Sequence, residues 1–154
     1  MNENVSLKGT SLLMVEDNND QWLIAQQAAL SALPGVRIDR TATSEEAFTL
    51  LQKCKIKQAE LPRLILLDLY LPNRADGLEF VRRLKTLGDV FQRVPVVMLS
   101  FSSQSEDIGD TYQAGVGSYI VKPQRFEEWV ELFTQIRIYW WETVRLPGVN
   151  NFLF

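Results

Sequence analysis

Five side chains suited to phosphoryl chemistry stand at the ends of apolar runs. Glu16 and Asp17 follow SLLMV, Asp68 closes LILLD, Ser100 follows VPVVML, and Lys122 follows SYIV. If they meet, three adjacent carboxylates cannot all stay ionised without a cation, and Mg²⁺ prefers such oxygen ligands. A lysine and a hydroxyl suit phosphoryl oxygens. The set describes an aspartate that accepts a phosphoryl group while a metal ion and a lysine offset the charge of that group.

The elements around these residues must bring them together. Short apolar runs at 11–15, 36–39, 64–68, 94–99 and 118–121 predict strands, and helical spacing marks 20–31, 43–55, 77–87, 105–114 and 124–142. Strand and helix alternate five times, which predicts an α/β doubly wound fold with a parallel five-stranded sheet in one domain. Ligands of such sheets bind at the carboxyl ends of the strands, where all five side chains fall.

Composition narrows the function further. The 154 residues include no histidine, which excludes Ser-His-Asp catalysis and histidine-ligated zinc. The net charge of −3 offers no basic face for DNA. One cysteine, Cys54, indicates a reducing compartment. The sequence shows neither a signal peptide nor a membrane span, so we expect a soluble, cytoplasmic protein.

The motifs together resemble the response-regulator receiver domain of two-component signalling, which has a flavodoxin-like (βα)5 fold. These motifs are an acidic pair after the first strand, Asp after the third, Ser after the fourth and Lys-Pro after the fifth. The resemblance covers residues 10–142, which we take as the receiver domain, between an N-terminal tail (1–9) and a C-terminal apolar extension (143–154). The run YWWETVRLP, residues 139–147, is similar to the ending of the single-domain response regulators of the cyanobacterial phytochrome type.

The resemblance implies roles for individual residues. Asp68 would be the phosphoacceptor. Mg²⁺ would bind Asp17, Asp68 and the backbone carbonyl of Tyr70, with Glu16 assisting. Ser100 and Lys122 would contact the phosphoryl group, and Ser100 would act with Tyr119 as the conformational switch. The Lys122–Pro123 bond would be cis, as is usual in the family.

Three positions depart from the family pattern. LPNRADG, residues 71–77, has one residue more than the usual loop, which predicts a bulge of Arg74 or Ala75 beside the site. Tyr70 is bulky at a position that tunes hydrolysis in the family. Phe101 follows Ser100 where a small residue is commoner.

The resemblance also implies partners. A sensor histidine kinase, with the phytochrome type as a candidate, would donate the phosphoryl group, and a downstream protein would receive the signal. The apolar C-terminal segment, with Trp140, Trp141 and Phe152 among its residues, predicts a homodimer interface or a tail folded over its own domain.

Other functions stay open at this point. A pseudo-receiver would bind partners without phosphorylation. A Mg²⁺-dependent phosphohydrolase would use Asp68 as nucleophile, but Tyr70 stands where such enzymes place a second acid. A flavin or nucleotide module would need a glycine-rich loop after the first strand, where EDNND stands instead. We expect no enzyme activity beyond assistance to the protein's own phosphorylation and dephosphorylation.

Overall fold

Three buried apolar runs form the centre of a parallel sheet in the computed structural model, which describes residues 7–56 and 61–146. The strand order is β2-β1-β3-β4-β5, and every neighbouring pair is parallel. This is the doubly wound, flavodoxin-like architecture that the sequence predicts. The strands are β1 (Ser11–Val15), β2 (Arg37–Thr41), β3 (Leu64–Asp68), β4 (Val96–Ser100) and β5 (Ser118–Val121).

Among the residues that the structure describes, six helices flank the sheet, and a π-helical segment, Arg137–Thr143, continues the last one. They are α1 (Asn19–Ala32), α2 (Ser44–Ile56), α3 (Arg74–Thr86), α4 (Asp89–Gln92), α5 (Ser105–Ala114) and α6 (Phe126–Ile136). Successive side chains of a strand point to opposite faces. Leu12 and Met14 of β1 accordingly pack with α1 and α6, whereas Leu13 and Val15 pack with α2 and α3.

Local side chains fix where several helices begin. The Asn18 side chain accepts a hydrogen bond from the Gln21 amide, which starts α1. Thr43 and Glu46 have the spacing of a capping box, and the Thr43 hydroxyl accepts a hydrogen bond from the Glu46 amide at 3.1 Å. The Glu46 carboxylate accepts a hydrogen bond from the Ala42 amide, one residue before the Thr43 amide that a capping box uses.

The strand bounds of β1, β3 and β5 agree with the prediction, and the other two are shifted. β2 begins at Arg37 because the Val36 amide donates to the Leu33 carbonyl and closes the turn after α1. β4 begins after Pro95, which has no amide hydrogen for the ladder. The short helix α4 was not predicted, and the single helix predicted over 124–142 is α6 followed by the π-helical segment.

α3 also begins earlier than predicted, at Arg74 instead of Gly77. The Asn73 side chain accepts from the Asp76 amide at 3.1 Å and caps the helix. The expected bulge of Arg74 or Ala75 was therefore wrong: both belong to the first helical turn. Gly77 lets this turn lie against the chain after β3, since a Cβ at Gly77 would stand 2.0 Å from the Leu69 carbonyl oxygen.

The described part of the C-terminal segment packs largely on its own domain. Trp141 is buried and its indole N–H donates to the Thr10 hydroxyl at 3.0 Å. The Trp140 carbonyl accepts from Arg63, while Ile138 and Tyr139 stay exposed. Phe152 and the other residues after 146 lie outside the described residues. Within 7–56 and 61–146, no helix has the length and apolar character needed to cross a membrane.

Candidate functional site

The carboxyl ends of the parallel strands place the predicted residues at one edge of the sheet. Asp68 ends β3 beside Leu99, and Ser100 ends β4 beside Val121. Glu16 and Lys122 directly follow β1 and β5. The register of the sheet therefore brings together residues that are far apart in the sequence.

Lys122 joins two of the carboxylates. Its Nζ lies 3.0 Å from each carboxylate oxygen of Glu16 and 3.3 Å from Oδ2 of Asp68. The side chains of Lys122 and Glu16 are 3% and 0% exposed, and that of Asp68 is 11% exposed. A charge this deep needs a partner, and Lys122 supplies one ammonium to two carboxylates.

Burial makes Glu16 the unusual acid of the site. Desolvation, aided by the negative charge of Asp68, raises the pKa of Glu16 to about 7, although Lys122 opposes the shift. Its carboxyl group therefore exchanges a proton near neutral pH when the protein holds no metal ion.

Asp17 completes an acidic cluster with the two buried carboxylates. One oxygen from each of Glu16, Asp17 and Asp68 can be chosen so that all lie within 4.8 Å of one another. Asp17 is exposed, so the cluster opens to solvent on its side. Three carboxylates beside one ammonium leave an excess of negative charge. A hard divalent cation with oxygen ligands fits this donor set.

The backbone of Tyr70 adjoins the same cluster. Its amide donates to Oδ1 of Asp68 at 3.2 Å, so Oδ1 is held by Tyr70 and Oδ2 by Lys122. The Tyr70 side chain points elsewhere: its hydroxyl donates to Oδ2 of Asp107 at 3.2 Å. Partial burial of the hydroxyl and the charge of Asp107 raise the pKa of Tyr70.

Ser100 lies at this edge but does not join the ionic cluster. It is fully buried, and its hydroxyl accepts a hydrogen bond from the Ser102 amide at 3.1 Å. Its carbonyl accepts from the Lys122 amide at 2.7 Å, which ties β4 to the lysine. The next residue, Phe101, is 55% exposed and its ring centroid lies 5.1 Å from Lys122 Nζ, a cation–π contact that shields the ammonium.

Tyr119 contacts Ser102, which also binds Ser100. Its half-buried ring packs against the core beneath α2 and α3, and its hydroxyl donates to the Ser102 carbonyl at 2.7 Å. Ser100 and Tyr119, the predicted switch pair, are thus joined through the backbone of Ser102.

The cis X-Pro bond was predicted at the wrong proline. Within the described residues the cis peptide is Leu71–Pro72, and Lys122–Pro123 is not cis. The amide of Lys122 still pairs with the Ser100 carbonyl in the normal ladder register.

The sequence analysis missed a second polar cluster beside the site. Asp107, on α5, is 5% exposed and accepts hydrogen bonds from Tyr70, Arg74 and Ser102. The only available sequence signal was an acidic first turn of α5, which is typical of helices without any site. The partners of Asp107 depend on tertiary structure.

Comparison with known proteins agrees with this geometry. A sequence model of the response regulator receiver domain matches residues 12–134. Response regulator Rcp1 of Synechocystis sp. is 33% identical over 139 residues, which cover 89% of this chain and 92% of Rcp1.

Two solved structures share the fold over nearly the whole chain. The crystal structure of the Mn²⁺-bound form of Rcp1 is 28% identical, covers 90% of this chain and 99% of its own, and has a TM-score of 0.74. The phosphorylated cyanobacterial phytochrome response regulator RcpA is 30% identical, covers 90% and 98% of the two chains, and has a TM-score of 0.77. With its acidic cluster, its lysine and these relatives, the chain belongs to the response regulator receiver domain family.

Proposed function

We propose that this protein is a response regulator that accepts a phosphoryl group on Asp68 from a sensor histidine kinase and signals through protein contacts. The observation that carries the proposal is the contact of Lys122 with both Glu16 and Asp68, beside Asp17. The chain contains no histidine, so the donor imidazole belongs to the partner.

The chemistry of transfer follows from the site. A carboxylate oxygen of Asp68 forms a bond to phosphorus while the bond from phosphorus to the partner's imidazole nitrogen breaks, and its electron pair stays on that nitrogen. Lys122 turns from the carboxylates to the new phosphoryl oxygens, where its charge is needed. Ser100, once released from the Ser102 amide, donates its hydroxyl to another phosphoryl oxygen.

Mg²⁺ is the ion that we propose for the acidic cluster. Glu16, Asp17, Asp68 and the Tyr70 carbonyl would hold it, and when bound it offsets the charge on the carboxylates and the phosphoryl oxygens. The exposed side of the cluster at Asp17 gives both the ion and the donor a way in.

The switch starts at Ser100 and runs through Ser102 to Tyr119. When Ser100 turns toward the phosphoryl group it gives up the Ser102 amide, while Tyr119 holds the Ser102 carbonyl. Movement of Ser100 therefore displaces Ser102, and Ser102 displaces Tyr119. The change then reaches the surface formed by α5 and β5. To move the ratio of switched to resting conformation from 1:99 to 99:1, phosphorylation must favour the switched conformation by about 5.5 kcal/mol.

We further propose that the signalling surface is a homodimer interface. Large side chains are exposed on neighbouring elements there: Tyr112 on α5, Val121 on β5 and Phe126 on α6 are each more than 40% exposed. Light scattering before and after phosphorylation tests the dimer. A Tyr112→Ser, Val121→Ser variant should stay monomeric while it still takes up phosphate.

The choice of kinase rests on likeness alone. Similarity to cyanobacterial phytochrome response regulators favours a phytochrome-type histidine kinase, acting in the cytoplasm. We propose residues 10–142 as the receiver domain and 143–154 as an extension of it.

Acetyl phosphate tests the central step without a kinase. The protein is incubated with Mg²⁺ and acetyl phosphate, and its intact mass is measured beside Asp68→Asn and a matched control, Asp39→Asn, at an ion pair on the edge strand β2. We expect one phosphoryl group on the wild type and on Asp39→Asn, and none on Asp68→Asn. A chain that takes no phosphate would instead be a pseudo-receiver.

A further inference from the structure

Asp107 receives hydrogen bonds from three different segments of the chain. Its Oδ1 accepts from Arg74 Nε at 2.6 Å, and its Oδ2 accepts from the Tyr70 hydroxyl at 3.2 Å and the Ser102 hydroxyl at 2.5 Å. The carboxylate is thus fully satisfied although it is almost completely buried.

The two hydroxyl donors follow the neighbouring strands β3 and β4, which end at Asp68 and Ser100. Tyr70 also donates its amide to Oδ1 of Asp68, so its backbone lies beside the acceptor. Ser102 carries the hydrogen bonds of both Ser100 and Tyr119. One carboxylate oxygen of Asp107 therefore links the chain after β3 to the chain after β4.

Arg74 keeps this link charged and in place. Its guanidinium contacts both Asp107 and Asp110, which joins the first turn of α3 to α5. Hydrogen bonds from Ser102 and Arg74 hold the pKa of Asp107 below its usual range. Charge-assisted hydrogen bonds of this kind are shorter and stronger than neutral ones.

We propose that Asp107 is a positioning residue for the phosphorylation site, which fixes the backbone of Tyr70 beside Asp68 and couples it to Ser102, the residue that joins the switch pair. This inference rests on the proposed function, because it assigns Asp107 to the same site. Its consequence is that the Tyr70 carbonyl and Asp68 are ready for a divalent ion before the ion arrives.

Mg²⁺ affinity measures this role directly. Isothermal titration of MgCl2 compares the wild type with Asp107→Ala, Tyr70→Phe, the double variant and Asp110→Ala. Tyr70→Phe removes one oxygen from a side chain that is 40% exposed, so it should fold normally. Asp110→Ala is the matched control, because Asp110 contacts Arg74 but neither Tyr70 nor Ser102.

Loss of a partner that orients a metal ligand typically weakens affinity by 10–100-fold. We expect about tenfold weaker Mg²⁺ binding for Asp107→Ala, the low end of this range, because the link acts through the backbone. Tyr70→Phe removes one of the three donors to Asp107 and should weaken binding by less, about threefold. The double variant should bind no more weakly than Asp107→Ala, since both changes remove the same contact. Asp110→Ala should stay within about twofold of the wild type.

Two results would overturn the inference. One is an Mg²⁺ affinity of Asp107→Ala within twofold of the wild type. This result, even with a lower melting temperature, would mean that Asp107 only stabilises the fold. The other is additive effects of Asp107→Ala and Tyr70→Phe. Failure of the proposed function is a separate result: it is the absence of a phosphoryl group on the wild type after acetyl phosphate, whatever the Mg²⁺ affinities.

Discussion

Lys122 lies closer to Glu16 than to Asp68. Its ammonium is 3.0 Å from both oxygens of Glu16 and 3.3 Å from one oxygen of Asp68. The lysine that we propose to contact the phosphoryl group is therefore bound mainly to Glu16, a second and fully buried acid, before phosphorylation. The charge balance of the site depends on this pair as much as on Asp68.

Removal of Lys122 should destabilise the fold in a pH-dependent way. Lys122→Met leaves Glu16 buried without its cation, and breaking a buried pair costs about 3–5 kcal/mol. The cost should be smaller at pH 5 than at pH 8, because Glu16 can then take up a proton. Urea unfolding at both pH values measures it, and the double variant Glu16→Gln, Lys122→Met should recover most of the loss. Equal costs at the two pH values would contradict this explanation.

Mg²⁺ binding should strengthen as pH rises through 7. The pKa of Glu16 is raised to about 7 without metal, so the native protein keeps this proton where an unfolded chain has lost it. The stability due to this proton is present below pH 4.5 and is lost as pH rises to about 7. Metal binding must displace the same proton.

The size of this effect can be stated. If Glu16 must be ionised to bind Mg²⁺, affinity at pH 6 should be about tenfold weaker than at pH 8. Calorimetry in buffers of different ionisation enthalpy should detect the released proton. Glu16→Gln serves as the control and should show a flatter pH profile; an equally steep profile would assign the proton to another group.

Gly77 should not tolerate a side chain. A Cβ at this position would stand 2.0 Å from the Leu69 carbonyl oxygen, which is backbone and cannot rotate away. Because α3 would have to move off the chain after β3, we expect Gly77→Ala to cost about 2 kcal/mol or more in free energy of unfolding. Gly109→Ala is the matched control, since its Cβ meets nothing within 4 Å on α5. Similar costs for both variants would show that close approach is not the reason.

Tyr119→Phe should separate phosphorylation from signalling. It removes only the hydrogen bond to the Ser102 carbonyl, worth about 1 kcal/mol, and leaves the ring packing intact. We expect phosphate uptake from acetyl phosphate to stay within about twofold of the wild type, because Tyr119 does not touch Asp68. The change in oligomeric state on phosphorylation should shrink. A wild-type response in this variant would remove the Tyr119 hydroxyl from the switch.

Much of the fold can be predicted from the sequence, because strands that are buried on both faces of the sheet have continuous apolar sequences. SLLMV and LILLD have the strand bounds that their composition predicts, and the residues after them fall at one sheet edge for that reason alone. The Asn73 cap was also present in the sequence. The prediction missed its consequence, an earlier start of α3, because it treated LPNRADG as the family loop with one extra residue.

The side-chain pairings within the site could not be predicted in the same way. The contact of Lys122 with Glu16 spans 106 residues, and that of Tyr70 with Asp107 spans 37. No local periodicity encodes either contact, since both depend on how α5 and the strand ends are placed by the whole sheet. Asp107 resembled an ordinary acidic residue in the first turn of a helix.

The most direct test of the account is to locate the phosphoryl group on the chain. After reaction with acetyl phosphate and Mg²⁺, borohydride reduces an aspartyl phosphate to homoserine, which tandem mass spectrometry of peptides assigns to one position. We predict homoserine at position 68, inside the peptide that contains LILLDLYLP. Homoserine at Asp17 or elsewhere, with position 68 still aspartate, would contradict the central claim.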